Sequence, residues 1–521
     1  MEAKVKYPIG DQDFKSIRDG NCIYIDKTQY IDKIRKSGSK YYFLARPRRF
    51  GKSLFLSTLR YFFEGERELF KGLHIDSSDW DWQPYPVLRL DFNTGMFEQP
   101  GGIEDVLEGL FSDWEKKFDV EKSGLTYGQR FRKIIETAHE KTGRQVVILV
   151  DEYDKALVRN LNKKDNFEHY RLQLASIYSN FKSCADHIRL VFLTGVSRFS
   201  KLSVFSDLNN IKDITFDEEF ADICGITERE LLDNFQEGIS RLADRRNLNY
   251  EEACKQLKDN YDGYRFAESG SDIYNPWSLL NALDRRKIAN YWNETGKPTI
   301  VAEALKNINA DLKTFLDRKC DIRELRGLDL SDLNPTALLY QTGYITIKSF
   351  DPRRERFQLG VPNKEVEEGF FYELLPYYQK SHSIVLNDII MQITDGFLDG
   401  DPELAMKAMQ SYFAGVDYSL RIENENNFHN AFFLLTNIIG LKTKAESHTS
   451  EGRIDIEIST NEFAYIIELK YDHSAQEALD QIDEKHYARK YQMDRRKIFL
   501  IGVEFSSKTR CIESWLIKTL C

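Results

Sequence analysis

The chain contains no Cys-x-x-Cys pair. Its seven cysteines (Cys22, Cys184, Cys224, Cys254, Cys320, Cys511 and Cys521) are scattered and odd in number. That pattern argues against a zinc site or a disulfide framework and fits reduced thiols. No apolar run approaches the length of a membrane span, and the opening Met1-Glu-Ala-Lys4 lacks the apolar stretch of a signal peptide. These absences predict a cytoplasmic protein with no membrane partner. Basic excess is missing too. The net charge of −10 excludes a non-specific nucleic-acid sponge, so any nucleic-acid contact must use a local patch. No low-complexity linker and no repeat divides the 521 residues, yet the chain is too long for one core and predicts about three domains. Apolar and charged fractions of 41% and 30% are those of a globular protein.

What is present centres on residues 41–63. An apolar run from Tyr41 to Ala45 predicts a buried strand, a loop with Pro47 and Gly51 follows, and Leu56, Leu59 and Phe63 then recur at helical spacing. Strand, loop, Gly51-Lys-Ser53 and helix make the setting of a phosphate-binding loop. Backbone N–H groups and the positive helix end would cradle the phosphates of ATP, with Lys52 adding a point charge and Ser53 a hydroxyl for Mg²⁺. The full pattern wants glycine five residues before Gly51, where Arg46 stands, and Arg48 and Arg49 make the loop unusually basic.

About a hundred residues on, Gln145-Val-Val-Ile-Leu-Val-Asp-Glu152 places five apolar residues before two acids. This suits a strand buried on both faces of a parallel sheet, with the acids at the end where such sheets put ligands. Asp151 would then hold Mg²⁺ and Glu152 would polarise the attacking water. A further strand, Ile188 to Thr194, leads into Gly195-Val-Ser-Arg198. Thr194 is the candidate γ-phosphate sensor, and Arg198 pairs either with phosphate or with an acid. Tyr24 or Pro8 would lie near the base, or simply cap the domain. Arg265, in an aromatic turn of a helical segment, would reach the nucleotide from a lid, unless that turn only packs.

Toward the C-terminus, Gly452-Arg-Ile-Asp-Ile-Glu-Ile458 alternates as a half-buried strand and Phe463-Ala-Tyr-Ile-Ile-Glu-Leu-Lys470 reads as its neighbour. Alternation puts Asp455 and Glu457 on one face of the first, and Glu468 and Lys470 on one face of the second. If those faces meet, Asp455 and Glu468 share a divalent metal, Mg²⁺ or Mn²⁺, with Lys470 aimed at the same spot: a compact hydrolytic site. Charged residues on the solvent face of a hairpin would look much the same. An upstream helix with Glu423 and Glu425, and a helix from Ala475 to Tyr491 with Gln481 and Lys485, complete the order. That last helix ends in Arg489 and Lys490, with Arg495 to Lys497 beyond; this basic edge either follows a phosphate backbone or is a solvated helix end.

These residues resemble a known family. Tyr7-Pro-Ile-Gly10, Tyr24-Ile-Asp-Lys-Thr28, Arg46-Pro-Arg-Arg-Phe-Gly-Lys-Ser53, Val150-Asp-Glu-Tyr-Asp154, Leu193-Thr-Gly-Val-Ser-Arg198 and Tyr274-Asn-Pro-Trp277 are similar to the marks of bacterial AAA-ATPase-like proteins. Gly452-Arg-Ile-Asp455 with Glu468-Leu-Lys470 resembles the PD-(D/E)XK nuclease-like domain that such proteins carry. The resemblance implies that arginine-rich loops are this family's own form of the phosphate loop. In related nucleases a Gln and a nearby Tyr follow Glu-x-Lys; here Tyr487 follows Gln481 after a longer gap.

The fold expected is α/β: a P-loop ATPase core (1–225), a helical lid (226–285), a mixed, winged-helix-like connector (286–385) and a restriction-endonuclease-like domain (386–521). Candidate nucleotide-binding residues are Arg46, Arg49, Phe50, Gly51, Lys52, Ser53, Leu54, Asp151, Thr194 and Arg198. Candidate catalytic residues are Glu152, Asp455, Glu468 and Lys470, and candidate metal ligands are Ser53, Asp151, Asp455 and Glu468. The function expected is an ATPase coupled to a metal-dependent DNA nuclease in defence or mobile-element control, in a chain free to form a homo-oligomer. The alternative is a nucleotide-dependent switch whose C-terminal domain binds nucleic acid or a protein without cutting.

Overall fold

The computed structural model describes residues 5–121, 124–161, 163–198, 210–292, 318–327, 334–370, 383–415, 425–438, 441–448, 453–491 and 493–520. Glu423 and Gly452 lie outside the described residues, and of Glu425 only the backbone is described. The chain divides into two compact units, Met1–Glu294 with Arg318–Lys364, and Thr295–Asp317 with Glu365–Cys521.

In the first unit, the apolar runs become strands of one parallel sheet: β1 (Tyr41–Ala45), β2 (Val87–Asp91), β3 (Val146–Asp151), β4 (Ile188–Gly195) and β5 (Lys212–Asp213), in the order β2-β3-β4-β1-β5. All six residues of β3 and all five of β1 are buried, as strands covered on both faces must be. Each large aliphatic side chain so buried contributes about 1.5–3 kcal/mol. Because β4 lies between β1 and β3, the carboxyl ends of all three stand side by side. Leu44 is level with Thr194, and Leu193 with Val150. The loop after β1, the acid ending β3 and the hydroxyl near the end of β4 are thereby brought to one edge.

Four helices follow the sheet: Glu228–Asn234, Gln236–Arg246, Tyr250–Tyr261 and Pro276–Arg285, with short strands β6 (Ile226–Thr227) and β7 (Ile273–Tyr274) paired antiparallel. Thr227 with Glu230 and Asn249 with Glu252 form capping boxes that start two of them. Leu231, Phe235, Leu242, Leu257 and Leu279 form their shared core. Residues 318–364 add β8 (Lys319–Cys320), β9 (Thr346–Asp351) and β10 (Arg356–Gly360) in the order β8-β10-β9, with helices Ile322–Arg326 and Pro335–Thr342. Thus the apolar stretch beginning at Ala337 is helical first and extended only from Thr346.

The second unit has helices Ser383–Leu398, Pro402–Ala414 and Glu425–Ile438, then a mixed sheet of β11 (Lys442–His448), β12 (Arg453–Ser459), β13 (Phe463–Tyr471), β14 (Lys497–Ser506) and β15 (Cys511–Leu520), in sequential order. Only β13 and β14 run parallel, joined through the helix Ala475–Glu484. The helix expected to run on to Tyr491 stops at Glu484. His486 takes a left-handed φ of 50°, and a 3-10 turn, Tyr487–Tyr491, follows. Among the described residues, no helix is long and apolar enough to cross a membrane.

Candidate active sites

The phosphate loop begins where Arg46 continues the sheet, its N–H donating to the Gly195 carbonyl at 3.2 Å. Gly51 caps the Lys52–Phe63 helix at φ 94°, a conformation that strains any residue with a Cβ. A Cβ built there would meet nothing within 4 Å, so the glycine answers to the backbone alone and faces open space. Lys52 is buried, and its ammonium donates to the Arg46 and Pro47 carbonyls at 2.9 and 3.0 Å. Burial holds its pKa below the ordinary lysine value, opposed by the charges of Glu152 and Asp151. Lys52 is thus a poised cation, with carbonyls as its present partners.

Asp151 is fully buried at the end of β3. It accepts from the Thr194 hydroxyl at 2.9 Å, and Arg89 lies 3.4 Å away. Burial pushes its pKa up, while hydrogen bonds with Ser53 and Thr194 pull it down. Ser53 at the helix N-terminus and the Asp151 carboxylate offer a hydroxyl and a carboxylate, a pair of hard oxygens that suits Mg²⁺. Glu152 breaks the strand's alternation with a left-handed φ of 52°, and its carboxylate meets Lys155 at 2.8 Å.

The side chains of three other candidates have tasks within the fold. Arg46, placed among the nucleotide ligands from sequence, turns inward. Its guanidinium donates to the carbonyls of Ala45, Thr215, Phe220 and Ala221 and lies 4.3 Å over the Phe266 ring. A buried guanidinium needs such partners, and here they brace the start of the loop. Phe50 is buried edge-on to Tyr264 and Phe266 and anchors the loop's middle. Arg198 pairs with Asp213 at 2.8 Å, the acid alternative, while the Gln341 side chain accepts from its backbone N–H. Arg49 stacks 4.1 Å over Trp277, and Leu54 lies in the helix's first turn, its carbonyl accepting from Thr58. Tyr24 packs on Phe14 and meets Thr58, and Arg265 is held by Asp272 at 2.9 Å.

Asp154 was not singled out for chemistry from sequence. Its buried carboxylate accepts from the N–H groups of Ser197, at 2.6 Å, and Val196, at 3.4 Å. Burial drives its pKa up to about 6 against those hydrogen bonds. The Tyr153 hydroxyl donates to the Ser197 carbonyl at 2.9 Å. Gly195 allows this clamp, since a Cβ there would stand 2.6 Å from the Tyr153 ring and 2.8 Å from Asp154 Oδ1. The sole signal in sequence was the third acid of Val150-Asp-Glu-Tyr-Asp154.

In the second unit, β12 and β13 pair with Ile456 opposite Ile467, which continues to Asp455 opposite Glu468. Asp455 Oδ2 accepts from the Leu469 N–H at 2.9 Å, seating its carboxylate on the Glu468 side of the sheet. Lys470 Nζ lies 3.8 Å from Glu468 Oε1 and donates to Gln481 Oε1 at 2.6 Å. Gln481 in turn donates its amide to Glu468 Oε1. Tyr487, bonded through its hydroxyl to the Arg453 carbonyl at 2.8 Å, lies beside Gln481. Asp455, Glu468 and Lys470 are therefore brought together, and Gln481 and Tyr487 brace them.

Glu468 is 1% exposed, and its Oε2 has no hydrogen-bond partner. Burial pushes its pKa up, the Asp455 charge adds to this, and Lys470 opposes it. A buried carboxylate oxygen left bare beside a second carboxylate fits a hard divalent cation. Among the described residues no group of three or more His, Cys, Asp and Glu could hold a metal ion; Glu457, on the same face as Asp455, is paired with Lys490, which leaves Asp455 and Glu468 as the described candidate ligands.

Comparison with known proteins agrees with both halves. The family model described as Predicted AAA-ATPase matches residues 8–205, and that of the PD-(D/E)XK nuclease superfamily matches residues 423–515. The chain is 33% identical over 529 residues to the "Uncharacterized protein in vnfD 5′region" of Azotobacter chroococcum mcd 1, a match covering 99% of this chain and 100% of the relative. The chain belongs to the AAA-ATPase-like family, its polypeptide joining that ATPase-like module to a C-terminal domain of the PD-(D/E)XK nuclease superfamily.

Proposed function

We propose that the chain binds and hydrolyses ATP and that its C-terminal domain is a metal-dependent DNA nuclease. The observation that carries the nuclease reading is the bare Glu468 Oε2 held beside Asp455 and within reach of Lys470. Asp455 and Glu468 hold the cation, which supplies Lewis-acid polarisation of the phosphodiester and activation of the attacking water. Lys470 balances charge building on the scissile phosphate, and Gln481 fixes the directions of both Lys470 and Glu468.

In the ATPase-like module, Gly51, Lys52 and Ser53 receive the phosphates, and Lys52 exchanges its two carbonyl partners for phosphate oxygens. Ser53 and Asp151 hold Mg²⁺. Thr194 orients Asp151, and Glu152 leaves Lys155 to orient the attacking water. Arg46 and Phe50 act as positioning residues for the loop. Arg49, stacked on Trp277 beside the loop, meets phosphate charge, while Arg198 stays with Asp213.

The test is cleavage of plasmid and single-stranded DNA with Mg²⁺ or Mn²⁺, with and without ATP, alongside ATP turnover. Metal-dependent cutting lost in Asp455→Asn, with turnover lost in Lys52→Ala, supports the reading. DNA binding without cutting by the wild type favours a nucleotide-dependent switch.

A further inference from the structure

The basic segment after the Ala475–Glu484 helix is unexplained by either site. Residues 485–497 hold six lysines and arginines (Lys485, Arg489, Lys490, Arg495, Arg496 and Lys497) against one aspartate, in a chain of net charge −10. The segment is strapped along β12. Tyr487 bonds to the carbonyl of Arg453 at its start, Lys490 pairs with Glu457 near its middle, and Arg496 donates to the carbonyl of Thr460 beyond its end. Tyr487 and Tyr491 are buried in the sheet's core and pin the strap from beneath. Seven strand residues at about 3.3 Å each span roughly 23 Å. Asp455 stands two residues from the Arg453 end, so the strap runs away from the carboxylate pair.

Its charge is directed outward. Lys485, Arg489, Arg495 and Lys497 are exposed. Lys485, Arg495 and Lys497 have no carboxylate partner among the described residues. Three nearby acids are neutralised, Glu457 by Lys490, Asp494 by Arg496 and Asp483 by Lys518, while Glu484 and Glu462 are exposed beside the segment, so the cations outnumber the acids without being alone. Met493 stands among them 94% exposed, an apolar side chain that burial in this chain does not explain. A row of cations with one projecting methionine fits a polyanion carrying apolar faces between its charges. That is a nucleic-acid strand, whose phosphates meet the cations while a base meets the thioether.

We infer that the strap is a phosphate-backbone track leading a nucleic-acid strand to the Asp455–Glu468 pair, with Met493 as an apolar contact to a base. At 3.4 Å per phosphate along one strand, a span of roughly 23 Å covers about seven nucleotides. The inference rests on the nuclease reading and names the surface that would feed it.

The test is made on full-length Asp455→Asn protein without divalent metal, so that binding is read apart from cutting. Affinity for a short labelled DNA duplex, the corresponding DNA single strand and the corresponding RNA strand is measured against salt. Adding Lys485→Gln, Arg495→Gln and Lys497→Gln should lower affinity at least tenfold near 0.1 M salt and reduce the log–log salt slope by about 2–3. The arm with the largest loss identifies the strand. All three positions are exposed, and an unchanged thermal midpoint shows that the fold is intact. Met493→Ala should weaken binding several-fold with the slope unchanged, and unaltered affinity overturns the methionine's part. Equal affinity and slope with the three cations removed overturn the track, even where wild-type protein cuts DNA and the nuclease reading stands. A glutamate-rich peptide bound as tightly as the best strand, with the same slope, overturns it in favour of an acidic protein partner.

Discussion

Gln481 accepts a hydrogen bond from Lys470 at 2.6 Å and gives one to Glu468, so a single side-chain amide from the helix sets both functional groups of β13. An uncharged residue thus governs the orientation of a carboxylate and an ammonium that lie 3.8 Å apart.

Gln481→Ala should therefore weaken Mg²⁺ or Mn²⁺ binding to the C-terminal domain by about 10–100-fold while ATP turnover holds. Metal titration followed calorimetrically on the full chain checks this. Unchanged metal affinity removes Gln481 from the site.

Glu152→Gln keeps size and hydrogen bonding but loses the group that orients water. It should bind Mg-ATP as the wild type does and hydrolyse it about 10²–10⁴-fold more slowly. Filter retention of labelled nucleotide beside a turnover assay separates the two. Wild-type turnover contradicts the role given to Glu152.

Asp154 carries a pH signature. Its pKa is about 6 in the folded state against 3.8 as the ordinary value. Between those values the folded protein holds a proton that the unfolded chain has released. The contribution of Asp154 to stability is therefore greatest below about pH 4, declines as pH rises toward 6 and is flat above. Two pKa units correspond to a change on the order of 3 kcal/mol. The difference in unfolding free energy between wild type and Asp154→Asn should follow that course between pH 4 and 7, by about this much. A pH-independent difference refutes the assignment.

Gly195→Ala adds a methyl group 2.6 Å from the Tyr153 ring and 2.8 Å from Asp154 Oδ1. It should cost about 1–3 kcal/mol of stability. It should also slow ATP turnover, because the displaced clamp holds the end of β4 beside Asp151. Chemical denaturation with a turnover assay tests both, and loss of stability with full turnover would detach the clamp from catalysis.

Much of this was legible in the chain because periodicity announces strands. The run Val146 to Val150 could be covered on both faces only inside a parallel sheet, and its acids had to emerge at the carboxyl end. Alternation likewise puts Asp455 on one face of its strand and Glu468 with Lys470 on one face of the next, but that those faces meet, with Asp455 opposite Glu468, follows only from the register of β12 and β13. The direction of a loop side chain has no such period. Arg46 reads as one more phosphate-facing cation, and only the carbonyls of Thr215, Phe220 and Ala221, distant in sequence, draw it inward. Tyr487 follows Gln481 after a longer gap than in the nucleases this domain resembles. The left-handed turn at His486 ends the Ala475–Glu484 helix and lets Tyr487 fold back onto Arg453. Asp154 was hidden because its partners are backbone N–H groups, which no residue name discloses.

The most direct measurement is Mg²⁺-dependent cleavage of DNA by wild-type protein beside Asp455→Asn, Glu468→Gln and Lys470→Ala, each checked for intact ATP turnover. The account predicts cutting by wild type only, with all four proteins hydrolysing ATP, because the bare Glu468 oxygen, Asp455 and Lys470 form one site. Cleavage at wild-type rate by Asp455→Asn or Glu468→Gln would contradict it.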